Sequence, residues 1–176
     1  MAKLVPQNHP ALHQTAEEVT EEEFTSGFVK KLLSDMEKAI KAYNVEGYVA
    51  MAIAAPQIGV AKRVFLISDQ SEEKERLPHL IAINPKIIKA SKRTSVNGEG
   101  CLSVPDNYGL VKRHKNVTLR AQDENGQEYE RGAGGLLAQI FQHEIDHLDG
   151  TLFVDRAEKI WHKDELHKVK HREAKK

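Results

Sequence analysis

The chain has 176 residues, a length that suits one domain with a sizeable core. Lys plus Arg and Asp plus Glu are each 26, so the formal net charge is zero, which argues against a globally basic nucleic-acid binder and against sequence-specific nucleic-acid recognition. The one cysteine, Cys101, leaves no intramolecular disulfide, and the longest apolar run, residues 48–55, has eight residues, too few to cross a bilayer. A start without an apolar signal core then points to the cytosol, with no membrane partner.

The first clear element begins at Thr20. Thr20 with Glu23 reads as a capping box, and Glu21, Glu22 and Glu23 suit the positive end of a helix dipole. Phe24, Phe28, Leu32, Leu33, Met36, Ile40 and Tyr43 recur at helical spacing, which predicts one helix over residues 21–43, stopped by Asn44 and Gly47. Strands are expected at 63–67 and at 80–84 and 86–88, the last two flanking Pro85, which suggests an edge or a bend. Residues 116–120 alternate, and residues 123–126 form a turn from which 127–131 return as a hairpin partner. A second helix is predicted over 136–148, ended by Gly150. Strands first and a helix late argue α+β rather than alternating βαβ units.

Residues 156–176 hold eight Lys or Arg against four acids. They read as a C-terminal helix resting on Trp161, and as a candidate docking element for an anionic surface. Residues 1–155 are taken as the catalytic unit and 156–176 as its peripheral extension.

The late helix contains His143-Glu144-Ile145-Asp146-His147. Histidines at i and i+4 share a helix face, so both imidazoles can meet one metal with Glu144 beside it. Leu136 and Ile140 lie on the same side, which turns the pair toward the core, where an unpartnered imidazole is costly. A catalytic metal needs a third protein ligand and an open position. No GxxH follows His147, so the long metzincin pattern is absent. Asp149, Asp155 and Glu158 are possible third ligands. Cys101 is the better one, because small residues around it allow close approach and thiolate plus two imidazoles suits Zn or Fe(II), not Ca or Mg.

Three motifs then carry a resemblance. Gln142-His143-Glu144-Ile145-Asp146-His147-Leu148-Asp149-Gly150 resembles the QHExDHLxG of the peptide deformylases. Glu99-Gly100-Cys101-Leu102-Ser103 is similar to their EGCLS, and residues 50–57 to their GxGxAAxQ; the likeness spans roughly residues 6–156. The resemblance implies an α+β fold with antiparallel strands around a central metal helix, an N-terminal helix and a helical tail. It implies removal of the formyl group from the N-terminal formyl-methionine of new polypeptides. It places Cys101, His143 and His147 on one divalent metal, usually Fe(II), with Zn(II), Ni(II) or Co(II) as substitutes.

The resemblance also assigns roles. A metal of this kind makes water acidic near neutral pH, Glu144 would move the proton, and the Gln57 amide with the Leu102 backbone N–H would hold the formyl oxygen. Met51, Leu136, Gln139 and Ile140 would surround the methionine side chain, and groups near Met51, Ala52 and Gly100 would bind peptide backbone in strand fashion. Glu99 and Arg113 would support the site from behind. The basic tail would be a ribosome contact. Three features depart from the pattern: Ala50 and Ala52 stand where glycines are usual, Gln139 where an aliphatic is commoner, and Tyr108 where some members carry arginine. A metallopeptidase with a carboxylate third ligand, or a non-catalytic metal-stabilised binding module, remain the rival readings.

Overall fold

The computed structural model describes residues 3–43, 49–70 and 77–165. Strands and helices are mixed, and every strand pairing within the sheets is antiparallel. The predicted first helix is two. The capping box is formed, with Glu23 N–H donating to Thr20 Oγ1 and Thr20 N–H to Glu23 Oε2. It starts α1 (Glu21–Thr25), but Gly27 then takes φ +85°, a left-handed conformation that ends the helix, and α2 (Phe28–Ala42) starts afresh. The expected apolar stripe survives: Val29, Leu32, Leu33, Met36, Ala39 and Ile40 are buried. The predicted stop at Asn44 and Gly47 lies outside the described residues.

Five strands form one sheet in the order β1 (Ala52–Ala54), β2 (Val64–Ile67), β3 (Leu80–Ala90), β6 (Asn116–Gln122) and β7 (Glu128–Gly134). Three more, β4 (Thr94–Cys101), β5 (Val104–His114) and β8 (Lys159–His162), form the second. β2 is buried on both faces, which is why it reads as an unbroken apolar run. Phe65 and Ile67 join the core that holds Phe141 and Leu148, and Val64 and Leu66 join the core under α2. Pro85 marks a bend, not an edge: β3 is interior, and its register with β6 shifts between Ile83 and Lys86. At that bend Asn84 takes φ +51°, and its side chain bonds both backbone groups of Val19 and the Gln122 amide.

The β6–β7 hairpin stands where the alternation placed it. It delivers the chain through Gly134 and Gly135 (φ +56°) into α3 (Gly135–Leu148), which packs against β1, β7 and β5. Gly150, at φ +73°, follows the α3 C-cap Asp149, and a Cβ there would stand 2.7 Å from Gln14 N. The expected C-terminal helix does not run through residues 157–162. After α4 (Phe153–Arg156), residues 159–162 are β8, paired with β5 so that Trp161 lies opposite Tyr108. The edge of β5 needs a hydrogen-bonding partner, and Gly109 leaves room for the returning chain: a Cβ on it would meet Ala157 at 2.9 Å. Residues 166–176 lie outside the described residues.

Candidate metal centre

Two elements bring the ligands together. Cys101 is the last residue of β4, and the chain reverses through Leu102 and Ser103 into β5, with Cys101 paired to Val104. This tight reversal turns the thiol inward, where the Ser103 N–H donates to Sγ at 3.4 Å. α3 supplies His143 and His147 one turn apart, their rings 5.0 Å centre to centre. Gln142 anchors the helix: its amide oxygen accepts from His114 N–H at 2.9 Å, and its NH2 donates to His114 O and Ala138 O.

Cys101 Sγ lies 3.1 Å from His147 Nε2, and the donor atoms of Cys101, His143 and His147 all lie within 4.8 Å of one another. Bond lengths of about 2.3 Å to sulfur and about 2.0 Å to nitrogen fit one ion between donors so spaced. Glu144 Oε2 and His147 Nδ1 are buried without a hydrogen-bond partner among the described residues, unusual for polar atoms at a purely structural site. The donor set and the spacing thus fit a divalent transition metal. Two of the rival third ligands are engaged elsewhere, Asp149 Oδ1 with Arg63 and Asp155 as cap of the Leu152 N–H, and neither they nor Glu158 join the cluster of donor atoms.

The electrostatics follow from crowding. Burial pushes the Cys101 thiol up, but the charges and hydrogen bonds of His147 and His143 outweigh it and hold the thiol well below its usual range. Burial pushes His143 down, and its bonds to Cys101 and Glu99 carry it well above the usual imidazole value. Burial raises Glu144 to about 7. Burial also opposes ionisation of Glu99, yet hydrogen bonds from Arg113 and His143 hold its carboxyl at about 2.

A cavity of about 260 Å³ opens onto the ligands. Of the residues singled out in the sequence, Met51, Ala52, Gln57, Glu99, Gly100, Cys101, Leu102, Leu136, Gln139, Ile140, His143 and Glu144 line it. His147 and Arg113 stand buried behind. Gln57, on a short 3-10 turn at Ala55–Ile58, is 2% exposed. Its carbonyl accepts from Ala54 N–H at 2.8 Å, which aims its NH2 at Cys101 Sγ and Ser103 Oγ. Gln139 is tied across the cavity mouth to β4, donating to Gly98 O at 2.9 Å. Ala50 and Ala52 are not among the residues at positive φ, so alanine carries no backbone strain there.

Sequence reasoning missed three polar residues. Ser103 accepts from Gln57 at 3.2 Å, and Asp146 accepts from Arg113 at 2.6 Å and forms an ion pair with Arg156 at 2.8 Å. Asp146 sat inside the motif as its fixed aspartate but was given no role; Arg156 carried no sequence signal, because its partner is ten residues away around a helix end.

The polypeptide deformylase family model matches residues 1–163. The chain belongs to the polypeptide deformylase family. Among relatives of this family, the peptide deformylase of Thermomicrobium roseum is 41% identical over 160 residues, covering 88% of this chain and 85% of its own. The Rhizobium meliloti peptide deformylase is 40% identical over 151 residues, covering 86% and 82%. The peptide deformylase of Thermotoga maritima superposes with a TM-score of 0.77 at 31% identity, covering 90% of this chain and 99% of that one. A class I type b peptide deformylase from Acinetobacter baumannii, bound to Met-Ala-Ser, gives 0.78 at 30% identity, covering 87% and 96%.

Proposed function

We propose that this chain performs the deformylase reaction in the cavity above Cys101, His143 and His147. As a polypeptide deformylase family member it is a hydrolase that removes the formyl group from the N-terminal formyl-methionine of polypeptides, releasing formate. The observation that carries the site reading is the convergence of three metal-binding donors on a cavity lined by Glu144 and Gln57.

In this reading α3 is the central helix of the catalytic unit, and Cys101, His143 and His147 hold one divalent ion. Fe(II) is the ion we favour, with Zn(II), Ni(II) or Co(II) able to replace it, because a soft thiolate with two imidazoles selects such metals. When bound, such an ion acidifies water and acts as a Lewis acid toward the formyl oxygen. Glu144 takes the proton of the attacking water and delivers it to the departing amine nitrogen as the C–N bond breaks. The water oxygen ends on the formyl carbon, giving formate and a free N-terminal amine. The Gln57 NH2 and the Leu102 N–H donate to the oxygen on which negative charge grows. The bond from Ala54 N–H to the Gln57 carbonyl fixes the amide beside Cys101, and its NH2 exchanges a contact there for the developing oxyanion.

Met51, Leu136, Gln139 and Ile140 surround the methionine side chain. Peptide backbone lies along Met51, Ala52 and Gly100, between β1 and β4, each the edge strand of its sheet. Glu99 and Arg113 hold His143 from behind.

We place the catalytic unit in residues 1–155 and the peripheral extension in 156–176, and the protein in the cytosol. No described helix is long and apolar enough to cross a membrane. The positive surplus of the extension falls in residues 166–176, with five Lys or Arg against one acid, which suits an anionic ribosomal surface. Truncation before residue 166 is expected to weaken ribosome co-sedimentation in low salt while small-peptide turnover persists. Unchanged sedimentation would remove this contact.

The test of the main reading is an anaerobic assay of formate release from a formyl-Met tripeptide, with metal analysis on the same sample. One formate per peptide consumed and about one ion per chain are expected. No formate at any metal loading would leave a binding module instead.

A further inference from the structure

We propose that Arg156 is a positioning residue for the metal ligand His143, acting through a buried run of alternating charges formed by Asp146, Arg113 and Glu99. This rests on the reading of Cys101, His143 and His147 as ligands. Arg156 Nε stands 2.8 Å from Asp146 Oδ2, and the same oxygen accepts from Arg113 Nη1 at 2.6 Å. Arg113 then forks onto Glu99, Nε to Oε1 at 2.8 Å and Nη2 to Oε2 at 2.9 Å. Glu99 Oε2 is in turn 2.9 Å from His143 Nδ1. An ionised carboxylate only accepts, so Nδ1 carries the hydrogen and Nε2 is left for the ion.

Two single atoms join this run: Asp146 Oδ2 takes both guanidinium groups, and Glu99 Oε2 takes both Arg113 and His143. A shift of any member therefore reaches the imidazole. Arg156 also balances charge. Arg113, Glu99 and Asp146 are buried, and without Arg156 two carboxylates share one guanidinium. Arg113 is then drawn toward Asp146, its fork on Glu99 loosens, and the ring of His143 loses its fixed angle. Arg156 alone is half exposed, so it can be replaced without opening the core.

The sign of the effect separates positioning from plain electrostatics. Taking a cation away from a metal site favours metal binding by charge alone. Loss of positioning disfavours it. The decisive measurement is the Co(II) affinity of the folded full chain, read anaerobically by competition with a chromogenic chelator, for wild type, Arg156→Lys and Arg156→Ala. We expect Arg156→Ala to bind roughly tenfold more weakly, the low end of what a direct partner of a ligand contributes. Its cobalt absorption bands should shift, and Arg156→Lys, which keeps the charge but not the guanidinium geometry, should fall between. Melting curves establish that each variant is folded; Arg156→Gln serves in place of the alanine variant if that one melts early. Equal or tighter binding by Arg156→Ala, beside a wild type that binds, overturns the relay alone. A wild type that takes up no cobalt overturns the metal-centre reading and the relay with it.

Discussion

The two sides of the cavity are built differently. Behind the ligands lies a closed set of buried charges, in which Glu99, Arg113 and Asp146 are each at most 6% exposed and mutually bonded. The opposite walls are open and mostly apolar: Val49 and Leu136 are each 47% exposed, and Gln139 makes one bond to a strand backbone. A ligand set must hold its geometry against the ion, so its support is mutual and fails as a unit. A wall that receives a flexible side chain contributes contact by contact. Substitution effects should therefore fall steeply from the ligands outward.

The first way to break this contrast is at the thiol. Cys101→Ala should lose the ion, seen as metal per chain after dialysis, and formate release should drop to background. A variant that keeps its metal would restore a carboxylate as third ligand. Glu144→Ala should lower kcat about 10²–10⁴-fold while metal content stays unchanged. Because this carboxyl is buried and one of its oxygens has no partner, its removal should not lower the melting temperature. Full turnover by that variant would end its role as base.

Arg113→Leu probes the support rather than the chemistry. It leaves Glu99 buried with only His143 as partner, and should cost about 3–5 kcal/mol in urea unfolding. A loss below about 1 kcal/mol, the scale of an exposed pair, would mean the buried charges are not coupled as described. The smallest effect belongs to the wall. Gln139→Leu should lower KM for a formyl-Met peptide by no more than about 1 kcal/mol equivalent, with stability nearly unchanged, because one exposed hydrogen bond is exchanged for one more apolar contact. A large fall in kcat would put Gln139 in the transition state instead of the side-chain pocket.

Legibility in the sequence followed the range of the interactions. The capping box at Thr20, the β6–β7 hairpin and the extent of α3 were all visible, since each is set by residues within a few positions. The break at Gly27 was hidden because the apolar stripe of α2 runs through it in nearly the same phase. β4 and β5 gave no periodic signal: β4 is an edge with a mostly polar exposed face, and β5 alternates only in its second half. Pro85 was readable as a bend, but its interior position depends on β6 pairing some thirty residues later.

The chain itself determined which atoms can bind a metal. Histidines at i and i+4 on a helix converge whatever surrounds them, and one cysteine in a small-residue turn is the natural soft partner. Tertiary structure decided the rest. Only the pairing of β4 with β5 sets Glu99 on Arg113, only the seat of α3 brings Asp146 to the same guanidinium, and only the placing of α4 adds Arg156. Buried charges of this kind are tolerated where several elements satisfy them at once, and no stretch of sequence contains that condition.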